Sequence, residues 1–307
     1  MKTALILAAA VAIAVSRPSA QNVPAGDQWL TRPVDDRTFQ GYLDFYAYDR
    51  ALPFDTRVSK SEDDQGLKRE RLTFQSTPGV RVPAILWRQE GASADKQPAI
   101  ILLHGGSPRG KEGTAQNATL LARAGWAVLA IDLPYFGERA TDLFTTFSEQ
   151  EKHEKLYNQP SAYLAWMTQT VKDVRRSYDW LVSERGVDGH RVALMGISRG
   201  AIVASIAGSI ERRFAAVALV FGGHFDALET VHLPAACPAN YIGRIAPRPL
   251  LMINGTEDSD MIRDRSVEPL FKLARRPKQI IWTPGGHTFM TEEHRAAMIQ
   301  WLREKLR

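Results

Sequence analysis

From residue 70 onward the chain alternates between short apolar runs and longer stretches with apolar residues at three- and four-residue steps. Residues 71–76 and 80–88 are rich in β-forming residues and are separated by the turn signal Thr77-Pro78-Gly79, so they predict an antiparallel hairpin. Ala99-Ile100-Ile101-Leu102-Leu103 is an unbroken apolar run ending at His104-Gly105-Gly106. Strands buried on both faces have this composition, because neither side meets water. Residues 126–131, 192–195, 215–221, 250–253 and 280–282 repeat the pattern. The clearest helix spans about 161–184, where Tyr163, Leu164, Met167, Val171, Val174, Tyr178 and Leu181 fall on one face. A second helix-forming stretch covers 201–210. A closing helix begins near Glu292 with Thr291 as N-cap, acids in its first turn and Lys305 and Arg307 in its last.

Strands and helices in alternation predict an α/β fold: a mostly parallel central sheet, helices on both faces, and an N-terminal antiparallel hairpin. In such sheets ligands bind beyond the carboxyl ends of the strands, which says where chemistry should lie. The body is assigned to residues 69–307. Residues 21–68 lack periodicity and carry an aromatic stretch at 39–48, so they are expected to form an arm packed on that body.

The first twenty residues read differently. Lys2, the apolar residues 4–15, and then Ser16-Arg17-Pro18-Ser19-Ala20 match a secretory signal peptide, with cleavage after Ser16 or Ala20. The run is too short for a comfortable membrane span. Export to a periplasm or the exterior is therefore expected, with no stable membrane association after cleavage.

Composition narrows the classes further. The 307 residues are 44% apolar and 24% charged, ordinary for a globular chain. The formal charge of +5 includes Lys2 and Arg17. The pairs Arg175-Arg176, Arg212-Arg213 and Arg275-Arg276 are interleaved with acids, which describes a solvated surface rather than a nucleic-acid footprint. One cysteine, Cys237, excludes an intramolecular disulfide and is expected to be simply buried. No His-Glu-x-x-His stretch, paired cysteine set or Gly-x-Gly-x-x-Gly fingerprint occurs, so neither a metal nor an organic cofactor is expected.

Gly196-Ile197-Ser198-Arg199-Gly200 directly follows a strand and opens a helix. That context turns a weak motif into a nucleophile elbow: the strained turn needs glycines two residues either side of the serine. It also puts the hydroxyl at a helix N-terminus, where free N–H groups favour negative charge. A serine needs a base. Of seven histidines, His287 is the best placed, in a loop just beyond the last strand. The base needs an acid to fix its tautomer. Asp258, three residues past Gly255 at the end of another strand, is the candidate, with Glu257 and Asp260 as rivals. The order Ser198, Asp258, His287 is the order of α/β-hydrolases. Gly106 and the residue after the nucleophile, Arg199, are the expected backbone oxyanion donors. The Arg199 side chain would pair with a nearby acid or meet an anionic substrate.

Over residues 45–307 the chain resembles the α/β-hydrolase superfamily, particularly its dienelactone-hydrolase and acetyl-xylan-esterase-like branch. The matching pieces are Tyr48-Asp49-Arg50-Ala51-Leu52-Pro53, His104-Gly105-Gly106, Asp132-Leu133-Pro134-Tyr135-Phe136-Gly137-Glu138-Arg139, Val187-Asp188-Gly189-His190-Arg191, the Ser198 motif and Gly255-Thr256-Glu257-Asp258. The resemblance implies a Ser198–His287–Asp258 triad and hydrolysis through an acyl-enzyme. Dienelactone hydrolases proper carry a cysteine nucleophile, and serine here moves the implied chemistry toward ordinary esters, small or on acetylated carbohydrate. Two rival readings are a serine peptidase or amidase on the same fold and a non-catalytic binding protein. Residues 224–245, with Phe225, Leu228, Leu233, Pro234, Pro238 and Tyr241, are expected either to cover the acyl or alcohol pocket or to pack away from it.

Overall fold

The computed structural model describes residues 28–91, 96–230 and 232–307; the signal-peptide reading and its cleavage sites lie outside them. Nine strands form one sheet: β1 (Arg57–Asp64), β2 (Leu67–Thr77), β3 (Val80–Gln89), β4 (Ala99–Leu103), β5 (Ala127–Ile131), β6 (Val192–Ile197), β7 (Ala216–Val220), β8 (Leu250–Gly255) and β9 (Lys278–Thr283). Their spatial order is β1-β2-β3-β5-β4-β6-β7-β8-β9. The pairs β1·β2, β2·β3 and β3·β5 are antiparallel, and all pairs from β5·β4 to β8·β9 are parallel. The mostly parallel α/β sheet and the hairpin read from the sequence are both present. The hairpin turns at Gly79, whose φ of 75° suits glycine.

The unbroken apolar runs have a simple cause. Along β4, Ala99, Ile101 and Leu103 enter one core, while Ile100 and Leu102 enter the other. The first core is closed by the helices Pro160–Arg185 and Arg199–Ile210, the second by Ala115–Arg123 and Glu292–Lys305. The long helix starts with Pro160 at its first position and stops at Gly186 in the left-handed conformation, a start and stop that the backbone favours. Thr291 caps the last helix, as expected, by accepting from the His294 N–H.

The extra strand β1 falls in the stretch whose pattern carries no periodicity. It is an edge strand, almost wholly exposed, with Lys60, Glu62, Asp63 and Asp64 among its side chains. Charge on such an edge discourages pairing with another chain, and it erases the apolar alternation that marks a strand in sequence. Ahead of it, Phe39 and Tyr46 pack edge-on against Tyr241, at ring-centroid distances of 5.5 and 6.1 Å. Residues 234–245 therefore face the N-terminal segment rather than the sheet's carboxyl edge. Cys237 is buried, with Sγ 3.8 Å from His224 Nε2. Among the described residues no helix is long and apolar enough to cross a membrane.

Candidate active site

After β4 the chain crosses to β5 on one side of it, and later returns as β6 on the other. The loops leaving β4 and β6 therefore diverge, and a crevice opens at the carboxyl edge between them. Ser198 stands in it, between β6 and the helix Arg199–Ile210, with φ 53° and ψ −119°. An L-residue avoids this conformation, and close packing on both sides enforces it. A Cβ on Gly196 would lie 2.1 Å from the Gly200 carbonyl oxygen, and one on Gly200 would lie 2.5 Å from the His104 carbonyl oxygen. Both glycines of the motif are thus fixed by contact.

His287 is carried by the loop after β9 and Asp258 by the loop after β8. The two loops interlock at Gly255, where a Cβ would lie 2.6 Å from the Gly285 oxygen and 2.7 Å from the Gly286 oxygen. The interlock brings His287 Nδ1 within 2.8 Å of Asp258 Oδ2 and His287 Nε2 within 2.8 Å of Ser198 Oγ. Asp258 Oδ1 accepts from the N–H groups of Asp260 and Met261, both at 2.9 Å. Burial pushes the Asp258 carboxyl up, but the His287 hydrogen bond and those backbone donors outweigh it and hold the group below its ordinary value. Of the rivals, Glu257 is exposed, and Asp260 has one oxygen 3.9 Å from His287 Nε2.

On the opposite flank, His104 is buried. Its Nε2 accepts from the Leu133 N–H at 3.0 Å, so the proton is on Nδ1, which meets the Gly105 carbonyl at 2.7 Å. Burial pushes the ring down to about 4. His104 thus acts through packing and hydrogen bonds, shaping the loop that passes Ser198. Gly105 is the glycine pressed against the nucleophile: a Cβ there would sit 3.1 Å from Ser198 Cβ. Gly106 has open space where its Cβ would be and, with Ser198 and Arg199, lines a cavity of about 600 Å³. Arg199 opens its helix, so its N–H has no partner within the helix.

Two ion pairs brace these loops; an acid was one of two partners expected for the Arg199 side chain, whereas Lys111 with Asp132 was not expected. Lys111 and Asp132 are both buried. The carboxylate accepts from the Lys111 backbone N–H at 2.8 Å, from Lys111 Nζ at 2.6 Å and from the Glu138 N–H at 2.9 Å. An acid directly after the apolar run of β5 is the signal that could have revealed it. The second pair involves the buried Arg199 side chain, which pairs with Asp226 and Glu229. His153, Asp226 and Glu229 have donor atoms within 4.8 Å of one another, a spacing a cation could use, and the guanidinium of Arg199 faces both carboxylates. Among the described residues of the 224–245 segment, only Asp226, Ala227 and Leu228 reach the cavity.

With fold and geometry in view, the class follows. Residues 100–301 match the alpha/beta hydrolase family, and the chain belongs to it. Among solved structures it is similar to an acetyl xylan esterase from Paenibacillus sp. R4, at 17% identity and TM-score 0.66, covering 91% of this chain and 99% of that one. Acetyl xylan esterase 1 from Thermoanaerobacterium sp. JW/SL YS485 aligns at 16% identity and TM-score 0.68, over 92% and 98%. A cold-adapted esterase from an Arctic intertidal metagenomic library aligns at 20% identity and TM-score 0.60, over 81% and 98%. No curated protein matches the chain.

Proposed function

We propose that the protein is an exported carboxylic ester hydrolase that works through a Ser198 acyl-enzyme. The observation that carries the reading is the unbroken relay from Asp258 to His287 to Ser198, with both contacts at 2.8 Å. Ser198 Oγ attacks the ester carbonyl carbon as His287 Nε2 takes its proton. Asp258 fixes the tautomer of the ring and stabilises the imidazolium. The oxyanion points to the N–H groups of Gly106 and Arg199, each worth about 3–4 kcal/mol by analogy with other serine hydrolases. Collapse expels the alcohol, which leaves with the proton from Nε2. Water, deprotonated by the same nitrogen, then attacks the acyl-serine, and the acid departs.

A small ester or an acetylated carbohydrate is the proposed substrate. The acetyl xylan esterases with which the chain shares its fold support that choice, as does a cavity wide enough for a sugar. The leader pattern in residues 1–20 supports an extracytoplasmic location. The test is Ser198→Ala on the purified protein, assayed on acetate esters and acetylated xylose. Turnover is expected to fall by about 10⁴-fold or more with the fold retained. Retention of most of the activity would remove the proposal.

A further inference from the structure

Arg199 meets the site twice. It opens the helix after Ser198, so its backbone N–H lacks a partner within that helix, and its side chain is buried. The guanidinium carbon lies 3.8 Å from the centre of the Tyr157 ring, and its nitrogens pair with Asp226 and Glu229. Burial pushes the guanidinium down, but Asp226 outweighs it and holds the group above its ordinary value. Burial likewise pushes Asp226 up, yet Arg199 and His153 hold it down to about 2.

The Asp226 carboxylate of this pair is already engaged by its neighbours. Asp226 Oδ1 accepts from the N–H groups of Leu228 at 2.9 Å and Glu229 at 3.1 Å, and His153 Nε2 lies 3.0 Å from both carboxylate oxygens. Glu229 is buried, with His232 Nε2 3.3 Å away. What the pair holds is a turn of chain: Asp226, Ala227 and Leu228 form one wall of the cavity that contains Ser198 and His287. Leu228 itself is half exposed, and its carbonyl accepts from Asn158 at 3.0 Å. The wall therefore presents carbon, with its one carboxylate already occupied.

From this we infer that the Arg199 side chain is a positioning residue. It fastens the 226–228 turn to the nucleophile elbow and so sets the room and the apolar contact available to a bulky substituent of the ester. The inference rests on the esterase reading, and it places substrate selection in a side chain that touches no substrate. The backbone N–H at position 199 survives any substitution except proline, so the readout is the ratio between a large and a small ester rather than either rate alone.

The test compares ethyl acetate with 1-naphthyl acetate on the wild type, Arg199→Met, Arg199→Lys and Asp226→Asn. The ratio of KM for 1-naphthyl acetate to KM for ethyl acetate is expected to rise about tenfold in Arg199→Met and Asp226→Asn. Arg199→Lys keeps the charge but not the planar fork, and should fall between them. If Arg199→Met does not fold, the Arg199→Met, Asp226→Asn, Glu229→Gln triple variant, in which all three charges are removed, is read in its place. Equal losses on both esters would overturn the inference by putting the side chain at the reacting centre. A lowered melting temperature with an unchanged KM ratio would overturn it by leaving only a structural role. Failure of the esterase reading looks different: the wild type would turn over neither ester and a fluorophosphonate would leave Ser198 unlabelled.

Discussion

The two flanks of Ser198 are each braced by a buried cation on a carboxylate, and they are built on different plans. On the Gly105 flank, Asp132 is satisfied by Lys111 and by nearby backbone donors. The chain closes around it so tightly that a Cβ on Gly110 or Gly137 would come within 2.2 Å of its Oδ1. From there the network runs outward: Lys111 reaches Glu138, which meets Arg71, which meets Glu112. On the Leu228 flank, Arg199 faces two carboxylates in an enclosed nest with His153, His232 and Tyr157. One flank is a compact local clasp around a single carboxylate with a solvated fringe. The other is a sealed cluster drawn from three distant stretches. The first suits a loop that must offer its backbone at a fixed point. The second suits a wall that is held in place by the side chain of another element.

The sharpest way to break this comparison is at its most buried charge. Lys111→Met leaves Asp132 without its cation, and removing one partner of a buried pair costs about 3–5 kcal/mol. Urea denaturation should show a loss in that range, and ester turnover should fall because the loop carrying Gly105 and Gly106 loses its brace. A loss below about 1 kcal/mol would mean that the clasp is held by the backbone donors alone.

Acid distinguishes the flanks next. Burial holds His104 down to about 4 and His232 down to about 3, both below the ordinary 6.5. Both rings are neutral in the folded protein, while the unfolded chain takes up protons as pH drops below 6.5. Stability is therefore full above that point and falls as pH decreases, by about 1.4 kcal/mol per pH unit for each histidine. Near pH 4 His104 gains its second proton, and its Nε2 can no longer accept from the Leu133 N–H. As pH falls through about 4, hydrogen exchange corrected for its intrinsic rate should quicken in residues 104–108. Exchange there that stays unchanged down to about pH 3 would mean that the His104 bond to Leu133 does not hold this loop.

The smallest effect belongs to the solvated fringe. Arg71 pairs with Glu112 and Glu138 where water reaches all three side chains. Arg71→Ala should cost no more than about 1 kcal/mol, shrinking as salt is added. A cost as large as that of Lys111→Met would erase the distinction between clasp and fringe.

The contrast between the flanks also explains what could be read in advance. His104-Gly105-Gly106 and the Ser198 motif are local devices, in which a tight backbone turn dictates glycine at fixed offsets. Asp258 over Glu257 and Asp260 was a harder choice, because three carboxylates within four residues differ only in which way the loop turns them. The loop's backbone N–H groups and the interlock at Gly255 make that selection. For the Arg199 side chain an acid partner and an anionic substrate both stayed open: Glu229 lies 30 positions along the chain, and nothing local points to it. Strand β1 was missed for a related reason, since an exposed, charged edge carries no apolar alternation.

By itself, the sequence determined the alternation of strand and helix, the two-faced burial of the central strands, and the chain order of serine, acid and histidine. Those features depend on the period of a strand or helix and on backbone strain within a few residues, and both are written into short windows. The tertiary structure alone decided which carboxylate reaches His287, which glycine presses on Ser198, and that the Arg199 side chain turns inward to a nest of acids. Such outcomes depend on which distant segments share one low-dielectric space, and a charge chooses its partner only when packing has excluded water.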